Sequence, residues 1–276
     1  MDYRGAYPIF DPSAMRTYPL KGRTSKVEVD GFVDPSELRS ADPAPVELPW
    51  FRDGQPGPGD QSIGLAELAR YVVACRRASR PVILMIGGHP IKGGLGPILC
   101  DLIERGLVSL LATNVAATIH SFELALRGAS SEEVRDALPR GEFGMAFETG
   151  HYLNTALSIG HQLGLGYGEC MGRLYCDDNF RRDVIARVSE HFGDGDYLQP
   201  TDGFEYVDSC VYAAAWRAGV PITVHASIGF DIIDQHASAD PAAKGATSGA
   251  DFLVLTEHVA NMTQGGVLLV LGSAVM

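Results

Sequence analysis

Over residues 63–80 the apolar side chains Leu65, Leu68, Tyr71, Val72 and Cys75 recur at helical spacing. Arg76, Arg77 and Arg80 close that stretch with the positive charge that suits a helix C-terminus. Residues 81–86 are then apolar without alternation, which predicts a strand buried on both faces. The run Gly87, Gly88, His89, Pro90 breaks the strand, and a second helix is predicted from about 95 to 105. The unit repeats: strand 108–112, a turn at Thr113 and Asn114, helix 119–126. Two more apolar strands, 220–224 and 267–271, are each entered from a predicted helix.

Apolar strands separated by helices imply a Rossmann-like three-layer α/β fold with a mainly parallel sheet. Residues 1–60 differ from the rest. They are rich in Pro, Gly and Asp and read as an N-terminal extension that wraps over a surface or reaches a neighbouring subunit. Residues 61–276 read as a single α/β domain. The turn at Gly272 and Ser273 should lead into a further helix, so a continuation beyond Met276 is expected.

Composition narrows the class. The chain has 276 residues, 46% hydrophobic, and a formal charge of −12, which gives no electrostatic attraction to phosphate backbones or anionic lipid. The longest uncharged stretch, 259–276, is interrupted by Asn261, Thr263, Gln264, Gly265 and Gly266, and its apolar part is about half of the ~20 residues a membrane span needs. The 5 cysteines are scattered without CxxC spacing. That pattern suits reduced core thiols and a cytoplasmic location.

Ligands of parallel sheets sit beyond the carboxyl ends of the strands, so the segments following each strand carry the candidate chemistry. GGHPIKGG after the first strand permits close backbone approach, and Lys92 adds positive charge for an anion. The segment matches neither GxGxxG nor GxxxxGK[ST]. His89 at a strand end is a candidate for proton transfer. After the second strand, small Ala116 and Ala117 let a ligand or another helix come close. His120 and Glu123, three apart on one helical face, either share a polar ligand or bond each other. Glu148, Thr149, Gly150 and His151 read as a solvated helix face. After the third strand, His225, Asp231 and His236 form a set suited to acid–base work or substrate binding. The same set offers an alternative as a metal site, although its spacing matches no tight metal signature.

The order of these segments resembles the deoxyhypusine synthase family over roughly 80–276, by pattern more than identity. GGHPIKGGL stands at that family's serine-rich turn. VSLLATNVAATIHSFE resembles its strand, threonine turn and acidic helix start that touch NAD, and HASIGFDIIDQH resembles its Asp-Gly-Ser-Leu-Gly-Asp stretch. GADFLVLTEHVANMTQGGVLLVLGSAV resembles the approach to its glycine-rich NAD turn. A similar uncharacterised bacterial group shares this wording.

The resemblance implies an NAD-dependent transferase or oxidoreductase acting on a polyamine or other small amine. It implies that Gly87, Gly88, Thr113, Asn114, His120, Gly272 and Ser273 line the cofactor. Asp231, Glu123 and His236 would contact substrate, with His225, His89 and Lys92 nearest the chemistry, in a homodimer or homotetramer. His225 departs from the family's first aspartate, and the family's C-terminal lysine has no counterpart among these residues. Two rival readings follow from those departures: a metal-assisted hydrolase or lyase using His225, Asp231 and His236, and a non-catalytic ligand-binding protein.

Overall fold

The computed structural model describes residues 4–40, 58–193 and 203–272. In chain order the elements are β1 (Ser25–Glu28), α1 (Pro58–Arg77), β2 (Val82–Ile86), α2 (Gly96–Glu104), β3 (Leu110–Thr113), α3 (Val115–Arg127) and β4 (Ala129–Glu132). Then come α4 (Phe147–Leu163), α5 (Tyr167–Cys176), α6 (Asp178–Phe192), α7 (Val211–Ala218), β5 (Ile222–Val224), α8 (Pro241–Ala260) and β6 (Val267–Leu271). Four strands form one sheet in the order β5-β3-β2-β6, every neighbouring pair parallel. β1 and β4 form a separate antiparallel pair.

Local signals set the boundaries. Val82, Ile83, Leu84 and Ile86 are buried, as the unalternating apolar run requires of a central strand. Asn114 caps α3 by accepting the Ala117 N–H at 3.1 Å, and Gly128 at φ +70° ends that helix. Asp240 caps α8 through the Ala242 and Ala243 N–H groups, with Pro241 at its first position. β3 starts two residues later than the sequence pattern predicts; Ser109 just before it bonds the Val82 backbone through both its N–H and its hydroxyl.

One expectation changes. The 147–163 segment is a central helix rather than a solvated face: Glu148, Thr149 and His151 are all buried. Glu148 survives burial by accepting the Leu20 N–H at 2.7 Å. Among the first 40 residues Leu20 is buried and β1 pairs with β4, while residues 4–14 are exposed. No described helix is long and apolar enough to cross a membrane.

A candidate site at the carboxyl edge of the sheet

The chain enters the sheet at β2, moves outward through β3 to β5, and returns to the other side of β2 as β6. This is the strand order of one half of a doubly wound dinucleotide-binding sheet, whose ligand crevice opens where the direction reverses. Here that point lies between β2 and β6. Ile86 is paired with Leu271, so Gly87 and Gly272 follow side by side at the crevice. A Cβ built on Gly272 meets nothing within 4 Å. Ser273 lies outside the described residues.

Gly88 has a different reason to be small. A Cβ there would stand 3.0 Å from Ala116 Cβ and 3.1 Å from His120 Cδ2. The turn after β2 therefore rests on α3, and Ala116 admits this turn. His120 is consequently held against the first strand-end turn, and the charges of Lys92 and His89 act on it there. Lys92 is half-buried and His89 exposed.

Behind His120 runs a chain of hydrogen bonds. Its Nδ1 lies 2.7 Å from Ser130 Oγ, and Ser130 donates to Glu123 Oε2 at 2.7 Å. Arg23 grips both oxygens of Glu123 at 2.7 and 2.5 Å, and Thr149 donates to Oε1 at 2.9 Å. Ser130 and Glu123 are at most 1% exposed, so neither reaches a ligand directly. Glu123 stays ionised: burial opposes its charge, and Arg23 together with Ser130 outweighs burial and lowers its pKa. Burial pushes His120 down to about 4; Glu123 opposes that, while Lys92, Arg23 and His89 add to it. The ring is neutral at pH 7.

The segment after β5 is organised by one face of α8. Lys244, Ser248 and Asp251 follow helical spacing, and together they bond the passing backbone much as a neighbouring strand would. Asp251 accepts the Val224 N–H at 2.7 Å, and Ser248 donates to Val224 O at 2.8 Å. Ser248 also accepts the Ala226 N–H, and Lys244 donates to Ser227 O.

This arrangement decides where the three polar residues of the HASIGFDIIDQH segment go. Asp231 and Asp234 both ion-pair with buried Lys244 at 2.7 Å. Gly229, at φ +76°, turns the backbone so that Asp234 accepts its N–H. His236 is 1% exposed and bonds Gly144 O at 2.8 Å. His225 is half-buried, its Nε2 lies 3.0 Å from Thr223 Oγ1, and burial lowers its pKa. The three side chains thus have separate partners. Among the described residues no group of three or more His, Cys, Asp or Glu side chains is placed to hold a metal ion.

Thr113 is also engaged internally: its buried hydroxyl bonds the Tyr212 hydroxyl at 2.9 Å and Thr223 O at 3.0 Å. Two residues of this edge, Arg23 and Ser130, were absent from the sequence expectations, and a third, Thr149, was read there only as part of a solvated face. No motif marks them, since each is defined by a contact across at least seven residues of chain. The spacing of Lys244, Ser248 and Asp251 was a readable signal in an otherwise small-residue helix.

Of the cavities away from the strand ends, two bear on the candidate chemistry. One, of about 630 Å³, is lined by Glu132, Glu133, Asp136 and Glu142 beside Lys21, Arg23 and Arg140. Arg140 is paired with Glu142 and Arg23 with Glu123. The other, of about 480 Å³, lies against the outer side of β5 and is lined by Trp216, Ile222, Asp251 and Val254 among others.

No protein-family model matches the chain, and no curated protein does. Among solved structures it is similar to the apo form of ArgZ, an arginine dihydrolase from the ornithine–ammonia cycle in cyanobacteria, with TM-score 0.41 and 15% identity, covering 76% of this chain and 23% of that one. It is similar also to AgrE in a ternary complex with ornithine and NAD+, with TM-score 0.38 and 17% identity, covering 76% and 24%. A putative LOR/SDH protein from Methanococcus maripaludis S2 aligns with TM-score 0.33 and 12% identity, covering 83% and 68%. The chain spans about a quarter of the ArgZ and AgrE chains. Likenesses at this level assign neither family nor ligand.

Proposed function

We propose that the protein is a nicotinamide-dinucleotide-dependent enzyme acting on a small amine, with the dinucleotide in the crevice between β2 and β6. The strand order carries this reading. An all-parallel sheet ordered β5-β3-β2-β6 reverses direction at a point where Gly87 and Gly272 let a pyrophosphate approach the backbone. Lys92 supplies nearby positive charge. The dinucleotide would take the hydride, while Gly87, Gly88, Asn114 and Gly272 orient it and His120 lies against the same turn.

The acid-lined cavity favours an amine as substrate. Arg140 is paired with Glu142, Arg23 with Glu123 outside the lining, and Glu133 with Lys26, which leaves Glu132 and Asp136 against Lys21. Asp231 supports an amine less well, because Lys244 already holds it. The resemblance to deoxyhypusine synthases extends the reading to hydride stored transiently during aminoalkyl transfer. With Lys244 held by two carboxylates, Lys92 is the lysine of this edge open to an imine role.

Calorimetric titration with NAD+ and NADH tests the cofactor. Saturable binding is expected, and Gly272→Trp should weaken it at least tenfold, since a Cβ at this position meets nothing within 4 Å and the added ring would occupy space at the crevice. Absence of binding to either form, or undiminished binding by the variant, overturns the assignment.

A further inference from the structure

His120, on α3 against the first strand-end turn, has its inner nitrogen anchored in a buried network of Ser130 and Glu123. Ser130 can donate only one proton, and Glu123, held ionised by Arg23, is an acceptor only. With the Ser130 hydrogen directed at Glu123, Ser130 Oγ receives the hydrogen bond from His120, so Nδ1 carries the imidazole proton. Nε2 is then left as a lone pair, and it has no hydrogen-bond partner among the described residues. Gly88 packs against the Cδ2 carbon next to Nε2, which places that lone pair beside the turn.

Resting on the dinucleotide reading, the geometry points to His120 Nε2 as a fixed hydrogen-bond acceptor for a neutral hydroxyl or amide N–H of the bound ligand, with Ser130 and Glu123 as positioning residues that hold its tautomer. An anionic group does not suit a lone pair. An ammonium does not suit the neighbourhood either, because the cations Lys92 and Arg23 both act on the ring. A ribose hydroxyl or a carboxamide N–H meets both conditions. Ser130 is not itself a nucleophile, being fully buried behind the ring. Its neighbour Ser131, on the same strand, is held at φ +68°.

The test uses the intact protein and diethylpyrocarbonate, which acylates an unprotonated imidazole nitrogen, with peptide mapping by mass spectrometry. His120 should be modified, and its rate should stay level from pH 8 to pH 5.5, while N-acetylhistidine in the same tube slows several-fold as it protonates. Glu123, Lys92, Arg23 and His89 are the charged or titratable groups acting on the ring, and together with burial they keep it neutral across that range. Long-range proton–nitrogen spectra of histidine-labelled protein should show His120 protonated at Nδ1, and Ser130→Ala should turn that single tautomer into a mixture without unfolding the chain. NAD+ at saturation should protect His120 at least fivefold.

An Nε2-protonated ring, or an unmodified His120, overturns the inference. So does NAD+ that binds by calorimetry and leaves the modification rate unchanged. If calorimetry shows no NAD+ binding, the dinucleotide reading fails. The acceptor assignment is then decided by modification and tautomer alone, both read without ligand.

Discussion

Replacing Asp251 should change both the size and the pH dependence of stability. This carboxylate is 3% exposed and sits where two structural problems meet. β5 is an edge strand of the sheet, so the Val224 N–H points outward without a strand to receive it. The N-terminus of α5 offers the unpaired Gly168 N–H close by. Asp251 Oδ2 accepts both, at 2.7 and 2.8 Å. Asp251→Ala leaves two buried N–H groups unsatisfied at about 1–3 kcal/mol each, a loss of about 2–6 kcal/mol. Asp251→Asn keeps a carbonyl oxygen for both donors.

Burial raises the pKa of Asp251 from 3.8 to about 7, with Glu169 adding to the rise and the N–H donors of Gly168 and Val224 opposing it. Below 3.8 the carboxyl is protonated in both states. Between 3.8 and about 7 the unfolded chain has released a proton that the fold retains, so stability falls as pH rises through that window and levels off above it. From pH 5 to pH 8 this one group should remove about 3 kcal/mol. Urea unfolding followed by tryptophan fluorescence can read it, because Trp216 lines the same cavity as Asp251. The wild type should lose stability relative to Asp251→Asn across that interval. A difference between the two that does not change with pH, or an alanine variant that costs less than about 1 kcal/mol, refutes the reasoning.

Arg23→Ala should cost about 3–5 kcal/mol in urea unfolding, because Glu123 keeps its charge in a buried position without its partner; a loss below about 1 kcal/mol would mean water reaches that carboxylate. Glycines should respond with opposite signs. Gly168→Ala should destabilise by about 1–3 kcal/mol or more, since its Cβ would stand 1.8 Å from the Ile222 carbonyl oxygen. Gly249→Ala, in the interior of α8 with nothing within 4 Å, should raise stability by about 0.5–1 kcal/mol. Equal thermal shifts for the two would contradict these packing distances.

The strand-helix alternation was legible because buried parallel strands need mostly apolar runs: 82–86 is wholly apolar, 110–113 and 222–224 are broken only by Thr113 and Thr223, and 267–271 carries such a run although Leu268, Val270 and Leu271 are exposed at the sheet edge. Sheet order was not legible, since nothing in an apolar run names its neighbour. Glu148 to His151 misled because charged and polar residues on a helix usually mark its wet side. Here the bonds from Leu20 to Glu148 and from Thr149 to Glu123 span 128 and 26 residues, and only tertiary structure supplies such partners. The same limit applied to the histidines. Spacing grouped His225, Asp231 and His236, whereas the fold gave each a different partner.

That separation moves the weight of the carboxyl edge from one side to the other. After β5, α8 supplies Lys244, Ser248 and Asp251, and the polar groups of the following loop are largely consumed in holding its shape. A loop whose carboxylates are already paired has little to offer a ligand, because binding there must first break a buried ion pair. After β2 and β3 the balance is reversed. Glu123 and Ser130 spend their bonds behind His120, and what they fix in place is an unpartnered nitrogen at the turn beside Gly88. Buried networks that end in an open acceptor, rather than closing on themselves, have their final hydrogen bond left for a ligand to complete. On this ground the turn after β2, with Gly87 and Lys92, and the adjoining His120 of α3 are where bound cofactor should be sought first, ahead of the His225 segment.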